Sequence, residues 1–310
     1  AGDRITINSF KDYWGEKPKV EKVIFRSIPE VSNRMIALET EEIDASFDIG
    51  IMDREALINH KDLSLIEVES SAQLYLSFDQ TNPLFKDIRI RQAISYAIDN
   101  KTLAEAVFRG SASPANSPLP SAVAGHKDID YYKQNIELAK KLLAEAGYPN
   151  GFPLKLWVND ESTRVDMCVI IQGQLKEIGI DVDIEVFEWG TFLTKTLEHN
   201  KPLYLFSWSG STGDADGILY PMFHSSQRDV SANRSNYFSP KVDSLLDMAR
   251  TSIDEEKRLS LYKEAQEEIQ KDLPHYTLVY NKLNMGINKK VKGLTLSSTG
   301  AVSYTHLRAH

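Results

Sequence analysis

The sequence predicts an α/β protein with a largely parallel sheet. The main observation is that short apolar stretches alternate with longer amphipathic stretches through the middle of the chain. Such alternation is typical of strand–helix units in a parallel sheet. The strands are Phe152–Val158, Ile180–Phe187 and Leu203–Trp208, and the helices that follow them are Arg164–Ile178, Thr191–His199 and a segment holding Tyr220 and Phe223. A chain of 310 residues is also long enough to bury a large core and to split into two units.

Before these units, the chain alternates between strand-like and helical patterns. We predict strands at Ile5–Phe10, Val20–Ile28 and Ile43–Ile49, helices at Val31–Glu42 and Asp53–Asn59, and an extended segment at Leu63–Phe78. The residues after Asn82-Pro83 have the apolar spacing of a helix. Lys101–Phe108 is predicted to be a second helix, which ends at Gly110. The stretch Ser111–Gly125 is rich in Pro, Ser and Ala and has no periodicity, which indicates a loop.

The elements outside the three units are mainly helical. Asn135–Ala146 is amphipathic and is followed by Gly147, and Pro240–Arg250 and Asp254–Lys271 are two further helices. Tyr276–Met285 is typical of a strand, and Val291–Leu296 is a second candidate.

Composition and motifs exclude several function classes. The formal net charge of −8 does not fit a nucleic-acid-binding surface. The phosphate-binding, dinucleotide-binding, zinc-protease and nucleophile-elbow motifs are missing from the sequence, so it indicates neither an enzyme nor a cofactor. The histidines before residue 302 (His60, His126, His199, His224 and His275) have no second His or Cys at ligand spacing, which disfavours a metal site. The single cysteine, Cys168, lies in an apolar helical stretch and is interpreted as a small buried hydrophobe.

The best candidate for a binding site is the loop after the strand Leu203–Trp208. Ligands of α/β proteins bind beyond the carboxyl ends of strands. Here an aromatic side chain, hydroxyls, glycine and carboxylates follow one another, and the candidates are Trp208, Ser209, Gly210, Ser211, Thr212, Asp214 and Asp216. The alternative interpretation is an ordinary polar loop in which Trp208 belongs to the core and the two acids cap the next helix. A catalytic acid pair is disfavoured, because residues at i and i+2 point in different directions.

Two further candidates are predicted from their positions. Trp189 lies at a strand end before Gly190, where its ring would face a cleft. Asn116 lies in the aperiodic loop, next to Ser117.

Several motifs resemble those of family 5 extracellular solute-binding proteins, the peptide-, nickel- and glutathione-binding receptors of ABC importers. The run Asp12–Pro18 is similar to the N-P-D-Y-W-G signature of that family. Four further segments match in order: Ile36–Thr40 with Glu42–Asp44, Phe85–Val107, Ala139–Pro149 with its A-E-A-G-Y-P ending, and Trp208–Phe223. The resemblance covers nearly all of residues 2–300.

The resemblance implies a two-lobed periplasmic-binding-protein-like fold of type II, similar to cluster C, whose lobes close on ligand at a hinge. Residues 1–78 and 283–301 would be the remnant of an incomplete lobe one, and residues 79–282 a nearly whole lobe two. We expect the chain to be a fragment that lacks the signal segment and the first section of lobe one. Residues 302–310 resemble a translated sequencing adapter and are expected to be a cloning scar.

The resemblance also implies a function without catalysis or cofactor. The protein would capture short peptides or glutathione-like peptides and deliver them to the permease subunits of an ABC importer, as a monomer on the periplasmic or extracellular face of the membrane, with lipid anchoring of the intact parent left open. In related dipeptide and oligopeptide receptors, the loop after the tryptophan supplies an Asp for the ligand's ammonium group. The corresponding residue here is Ser211, which leaves Asp214 or Asp216 as the candidate carboxylate.

Three alternatives stay open at this point. The ligand could be nickel, haem or another small solute of the same family. The protein could be a peptide or sugar hydrolase, although no nucleophile–base pair supports this. Alternatively, the fragment binds nothing tightly and its exposed sheet edges favour aggregation.

Overall fold

The computed structural model describes residues 4–129, 132–228 and 232–300, together with the backbone of Val302–Ser303 and Arg308–Ala309. The chain divides into two compact units. Unit 1 comprises Ala1–Ser70 and Lys282–His310, and unit 2 comprises Ser71–Asn281. Most of the expected scar, residues 302–310, lies outside the described residues, and the assignment of the units to lobes stays a prediction.

Unit 1 is a small mixed assembly. Its strands and helices are β1 (Arg4–Asn8), β2 (Lys22–Arg26), α1 (Val31–Glu39), β3 (Ala45–Phe47), α2 (Arg54–Ile58), the first part of β4 (Leu63–Ser77), the last part of β9 (His275–Asn288) and the short strands β10 (Val291–Lys292), β11 (Thr295–Leu296), β12 (Val302–Ser303) and β13 (Arg308–Ala309). β1 and β2 form an antiparallel hairpin, and β3 pairs antiparallel with β9. A small apolar core lies between α1, α2 and the start of β4: Met35, Leu38, Ile49, Leu57 and Leu63.

Unit 2 contains the three predicted strand–helix units. Its elements are α3 (Pro83–Lys86), α4 (Ile88–Ala97), α5 (Asn100–Phe108), β5 (Ala112–Pro114), α6 (Ile136–Glu145), β6 (Pro153–Asn159), α7 (Ser162–Lys176), β7 (Asp181–Phe187), α8 (Trp189–Lys195), β8 (Leu203–Ser209), α9 (Asp216–Phe223), α10 (Pro240–Thr251) and α11 (Glu255–Asp272), with a 3₁₀ turn at Ser225–Gln227 after α9.

The sheet of unit 2 is mixed, so the prediction of a largely parallel sheet is wrong. The order runs β9-β4-β8-β6-β7, with β5 paired to β9. β6 pairs parallel with both β7 and β8, and each of these three strands is followed by a helix. β4 runs antiparallel to β8, and β5 runs antiparallel to β9. The segment Ala112–Pro114, which we predicted to be loop, is a strand because it finds this distant partner.

Helices cover both faces of this sheet. On β4, β6 and β8, alternate residues belong to two different apolar clusters, since successive side chains of a strand point to opposite faces. On β8, Leu203 and Leu205 face the cluster that includes α4 and α7, whereas Tyr204 and Phe206 face the cluster that includes α9, α10 and α11. Cys168 is fully buried in the first cluster, as predicted. Among the helices of the described part, none has the length and apolar character needed to cross a membrane.

A buried ion pair fixes the region after β4. The side chains of Asp79 and Lys201 are both fully buried, and Lys201 Nζ lies 3.3 Å from Asp79 Oδ2. Asp79 also accepts hydrogen bonds from Thr81 Oγ1 at 2.7 Å, Lys201 N at 2.8 Å and Asn236 Nδ2 at 3.0 Å. Burial raises the pKa of Asp79, but the Lys201 charge and these hydrogen bonds outweigh it and hold the pKa below its ordinary value.

A second buried group, His275, has no compensating partner. It is 2% exposed, and its ring stacks on Tyr75 at 4.3 Å and lies 5.0 Å from the Phe223 ring. Neither ring nitrogen has a hydrogen-bond partner among the described residues. Burial lowers the pKa of His275 to about 3, so the folded protein holds this ring neutral.

The first prediction concerns the buried ion pair. Lys201→Met should lower the free energy of unfolding by about 3–5 kcal/mol, because it leaves the Asp79 carboxylate buried without its counter-charge. The double variant Lys201→Met/Asp79→Asn should cost clearly less than the sum of the two single variants. Urea denaturation of the four proteins measures these values. Strictly additive losses would show that the pair does not couple.

The second prediction concerns acid stability. The unfolded His275 protonates near its ordinary pKa of 6.5 and the folded one near 3, so the stability from a neutral ring is complete above pH 6.5 and is lost as the pH falls toward 3. By pH 4 the loss should reach about 3 kcal/mol. His275→Phe keeps the aromatic packing and should remove this pH-dependent loss.

The matched control is Phe223→Leu, which disturbs the same cluster without a titrating group. It should lower the free energy of unfolding by a similar amount at every pH, about 1 kcal/mol. Urea denaturation between pH 4 and 7.5 tests both variants. Parallel pH profiles for the wild type and His275→Phe would contradict the assignment.

Candidate functional site

The carboxyl ends of β6, β7 and β8 form one edge of the sheet, because these three strands are parallel neighbours. Asn159 ends β6 opposite Phe187, which ends β7, and Ser209 ends β8. The segments that leave this edge are the start of α7, the start of α8 and the loop 210–215. The functional residues predicted on β8 and at Trp189 therefore belong to the same edge, where ligands of open α/β sheets bind.

Arg164, in the first turn of α7, links two of these strand ends. Its Nη1 donates to Asn159 Oδ1 at 3.0 Å, and its Nη2 donates to Ser207 Oγ at 2.9 Å. Its Nε lies 3.2 Å from Glu161 Oε2, and the side chain keeps 17% of its surface exposed. Burial lowers the pKa of Arg164 from its ordinary value, while Glu161 opposes the shift. An arginine stays charged under such shifts, so the edge carries a held but accessible cation.

Trp189 begins α8 and provides an aromatic surface beside Arg164. Its ring is 42% exposed and stacks on Phe206 at a centroid distance of 6.1 Å and an interplanar angle of 20°. The Arg164 guanidinium lies 5.7 Å from the Trp189 ring centroid. The prediction that Trp189 lies at a strand end is confirmed, and its role in binding stays a prediction.

A second guanidinium, that of Arg234, also packs on Phe206. Its Cζ is 4.8 Å from the Phe206 ring centroid, and its Nη1 donates to Leu193 O at 3.0 Å and Thr196 Oγ1 at 2.5 Å. Its buried Nε has no hydrogen-bond partner among the described residues. Arg164 and Arg234 thus give this region a positive charge that the predicted site residues did not include.

The loop after β8 is held at its first residue. Gly210 N donates to Ser71 O at 3.1 Å, and Ser71 Oγ donates to Gly210 O at 2.6 Å. A Cβ at Gly210 would lie 2.9 Å from Ile218 Cγ1, so a larger residue would displace the core at this point. The side chains of Ser209, Ser211 and Thr212 are exposed. The loop therefore presents backbone and hydroxyl groups on a fixed base.

The two predicted carboxylates both lie against arginines. Asp214 receives a bidentate pair of hydrogen bonds from Arg258, at 2.8 and 2.7 Å. Asp216, in the first turn of α9, lies 3.0 Å from Arg250 Nε. Neither acid is the residue that precedes α9, which is Ala215. A ligand ammonium group would have to compete with these arginines, so the direct role of Asp214 or Asp216 stays a prediction that the geometry does not favour.

Trp208 and Asn116 are placed differently from each other. Trp208 is half-buried, packs against the α9–α11 cluster and donates from Nε1 to Gly217 O at 3.1 Å. Asn116 is half-buried and donates from Nδ2 to Asp128 Oδ1 at 2.7 Å. Hydrogen bonds join Asn116 to Asp128 and Tyr280 rather than to residues of β6, β7 or β8. Its role stays a prediction.

Two other features of the described residues bear on the chemistry. No group of three or more His, Cys, Asp or Glu side chains among these residues is arranged to hold a metal ion. A wide open groove of about 900 Å³ lies in unit 1 and is lined by β2 and residues 42–48. None of the nine predicted site residues lines that groove.

Sequence reasoning missed Arg164, Arg234, Arg250 and Arg258. Arg164 could have been predicted, because it lies a few residues after a predicted strand, just as the candidate loop lies directly after β8. The other three lie in or near helices and segments far along the chain, and only the fold brings them to the edge.

Comparison with known proteins agrees with the motifs. Residues 1–229 match the family model described as bacterial extracellular solute-binding proteins, family 5, middle region. The dipeptide-binding protein of Escherichia coli K12 is 27% identical over 305 residues, which cover 96% of this chain and 57% of that protein. The glutathione-binding protein GsiB of Salmonella paratyphi A is 30% identical over 310 residues, which cover 97% of this chain and 60% of that protein.

A solved structure shows the same fold. The periplasmic binding protein DppA of Helicobacter pylori, associated with an ABC transporter and solved with the peptide STSA, superposes with a TM-score of 0.81 at 31% identity, over 99% of this chain and 60% of that one. The chain thus spans about three fifths of the length of these relatives. The named relatives are binding proteins, which disfavours the hydrolase alternative. By the match over most of its length, the chain belongs to the family 5 bacterial extracellular solute-binding proteins.

Proposed function

We propose that this chain is part of the solute-binding component of an ABC importer and that it captures short peptides or glutathione-like peptides. The proposal is supported by the names of its relatives, which include dipeptide-binding and glutathione-binding proteins. The single observation that carries it to this chain is the cation and aromatic surface at the carboxyl edge of β6, β7 and β8, formed by Arg164 and Trp189.

The chemistry of the edge suits a peptide terminus. A carboxylate can accept charged hydrogen bonds from a guanidinium, and such bonds are worth about 1.5–3 kcal/mol each. Arg164 is held by Asn159 and Ser207, so it loses little freedom when it meets a ligand. The exposed Trp189 ring would cover apolar parts of the peptide, and the loop Gly210–Gly213 would offer backbone and hydroxyl groups to its amides.

The edge offers binding groups rather than catalytic ones. The Ser207 hydroxyl accepts a hydrogen bond from Arg164, and it forms none with a histidine among the described residues. The nickel or haem alternative is less favoured: a haem-binding protein is also among the relatives, at 28% identity over 94% of this chain, but several others are named for dipeptides or glutathione. Delivery to permease subunits, a monomeric state and a location on the periplasmic or extracellular face are parts of this proposal.

The third prediction tests the cation. Arg164→Gln should weaken binding of the dipeptide Met-Leu and of reduced glutathione about tenfold or more, because one charged hydrogen bond is lost. Isothermal titration calorimetry on the 310-residue chain measures the affinities. Lys176→Gln, at the exposed other end of the same helix, is the matched control and should bind like the wild type.

A modified ligand sharpens this test. The C-terminal amide of Met-Leu should bind the wild type more weakly than the free acid does, and this difference should disappear in Arg164→Gln. If the variant loses the same affinity for the acid and for the amide, Arg164 does not hold the carboxylate. If the wild type binds neither peptide nor glutathione, the proposed function of this chain is wrong.

A further inference from the structure

The loop after β8 is closed by a charge pair that joins it to α11. Arg258, in the first turn of α11, binds both oxygens of Asp214: Nη1 lies 2.8 Å from Oδ2, and Nη2 lies 2.7 Å from Oδ1. Such fork-to-fork geometry fixes direction as well as distance. Arg258 is itself held, because its Cζ lies 4.9 Å from the Tyr262 ring centroid and its Nη2 donates to Tyr262 Oη at 3.1 Å.

Asp214 in turn shapes the end of the loop. Its Oδ1 accepts from Asp216 N at 2.8 Å, and its carbonyl oxygen accepts from Gly217 N at 3.2 Å. Its backbone also forms a bridge with Ala124. Asp214 is therefore the residue on which the start of α9, the 115–125 segment and α11 converge.

Only three residues lie between this point and the anchored Gly210. Ser211 and Thr212 are exposed, and Gly213 has a φ of +70°, a left-handed conformation that glycine adopts without strain. Hydrogen bonds fix both ends of this short span, at Gly210 to Ser71 and at Asp214 to Arg258. The conformation of the exposed residues thus depends on the Asp214–Arg258 pair.

The same pair limits what Asp214 can do directly. Both carboxylate oxygens are engaged, and the guanidinium beside it cancels most of its charge. Hydrogen bonds from Arg258 hold the pKa of Asp214 below its ordinary value despite partial burial. A ligand ammonium group would meet a neutralised pair instead of a free carboxylate.

We propose that Arg258 is a positioning residue for ligand binding: it holds Asp214, and through it the loop Gly210–Gly213, in the conformation that meets the ligand, while Asp214 does not itself bind the ligand's ammonium group. The inference rests on the proposed function, since it assigns a role within the same site. Without the pair, the loop would have to be ordered when ligand binds, and that entropy cost would reduce affinity.

The test is a double-mutant cycle with Met-Leu and reduced glutathione as probes, measured by calorimetry on the full chain. Arg258→Gln and Asp214→Asn should each weaken binding about tenfold. The double variant should bind no more weakly than either single variant, because both remove the same pair. Arg258→Lys, which keeps the charge but not the fork, should recover part of the affinity.

The control is Lys241→Gln. It removes an ion pair between α10 and α11, with Nζ 3.0 Å from Glu268 Oε1, and leaves the loop untouched. It should bind both probes like the wild type. If Arg258→Gln binds as tightly as the wild type or more tightly while Asp214→Asn loses affinity, Asp214 contacts the ammonium directly and the proposal is overturned.

Amide hydrogen exchange measures, without any ligand, how firmly the end of the loop is held. Arg258→Gln should raise the exchange rate of the Asp216 and Gly217 amides about tenfold or more, and Lys241→Gln should not change it. This result stands even if the wild type binds neither probe, so failure of the proposed function and failure of the positioning role are distinguishable. Unchanged exchange in Arg258→Gln would overturn the positioning role. If Arg258→Gln does not fold, Arg258→Lys serves for both measurements.

Discussion

The parallel pairing of β8, β6 and β7 is the constraint on which the candidate site depends. It brings three strand ends to one edge, so that residues from α7, α8 and the loop after β8 meet there although they are far apart in sequence. Arg164 shows this most clearly, since one guanidinium bonds Asn159 at the end of β6 and Ser207 near the end of β8. The sheet fixes where these residues lie, and the segments that leave the sheet carry the charged, polar and aromatic side chains of the site.

At this edge the two acids are paired with arginines, and the guanidinium groups of Arg164 and Arg234 are half-buried beside aromatic rings. Asp214 and Asp216 lie against Arg258 and Arg250, whereas Arg234 has no acidic partner among the described residues. In the interior of unit 2, two opposite charges are buried as a pair, Asp79 with Lys201. The neutral His275, packed between Tyr75 and Phe223, is the exception, because both its ring nitrogens lack partners in the described structure. We infer that the buried Asp79–Lys201 pair supports the fold behind the edge, and that the polar groups at the edge are the ones that would meet a ligand.

Much of the fold could be predicted from the sequence because its signals are local. The three strand–helix units follow directly from apolar spacing, and the extended segment Leu63–Phe78 corresponds closely to β4. Strand order could not be predicted, because the antiparallel neighbour of β8 is β4, far upstream. The strand β5 was hidden for the same reason, since Ala112–Pro114 has no periodicity of its own. The arginines beside the candidate site could not be predicted either: Arg258 lies 44 residues beyond Asp214, and no local pattern links them.

We propose that ligand meets the carboxyl edge of β6, β7 and β8, and one experiment tests this most directly. Titration of the ¹⁵N-labelled chain with reduced glutathione would report every amide and indole group that senses the ligand. We expect chemical-shift changes at the Trp189 indole N–H and at the amides of residues 209–213. Shifts confined to the open groove beside β2 in unit 1, or none at all, would contradict it.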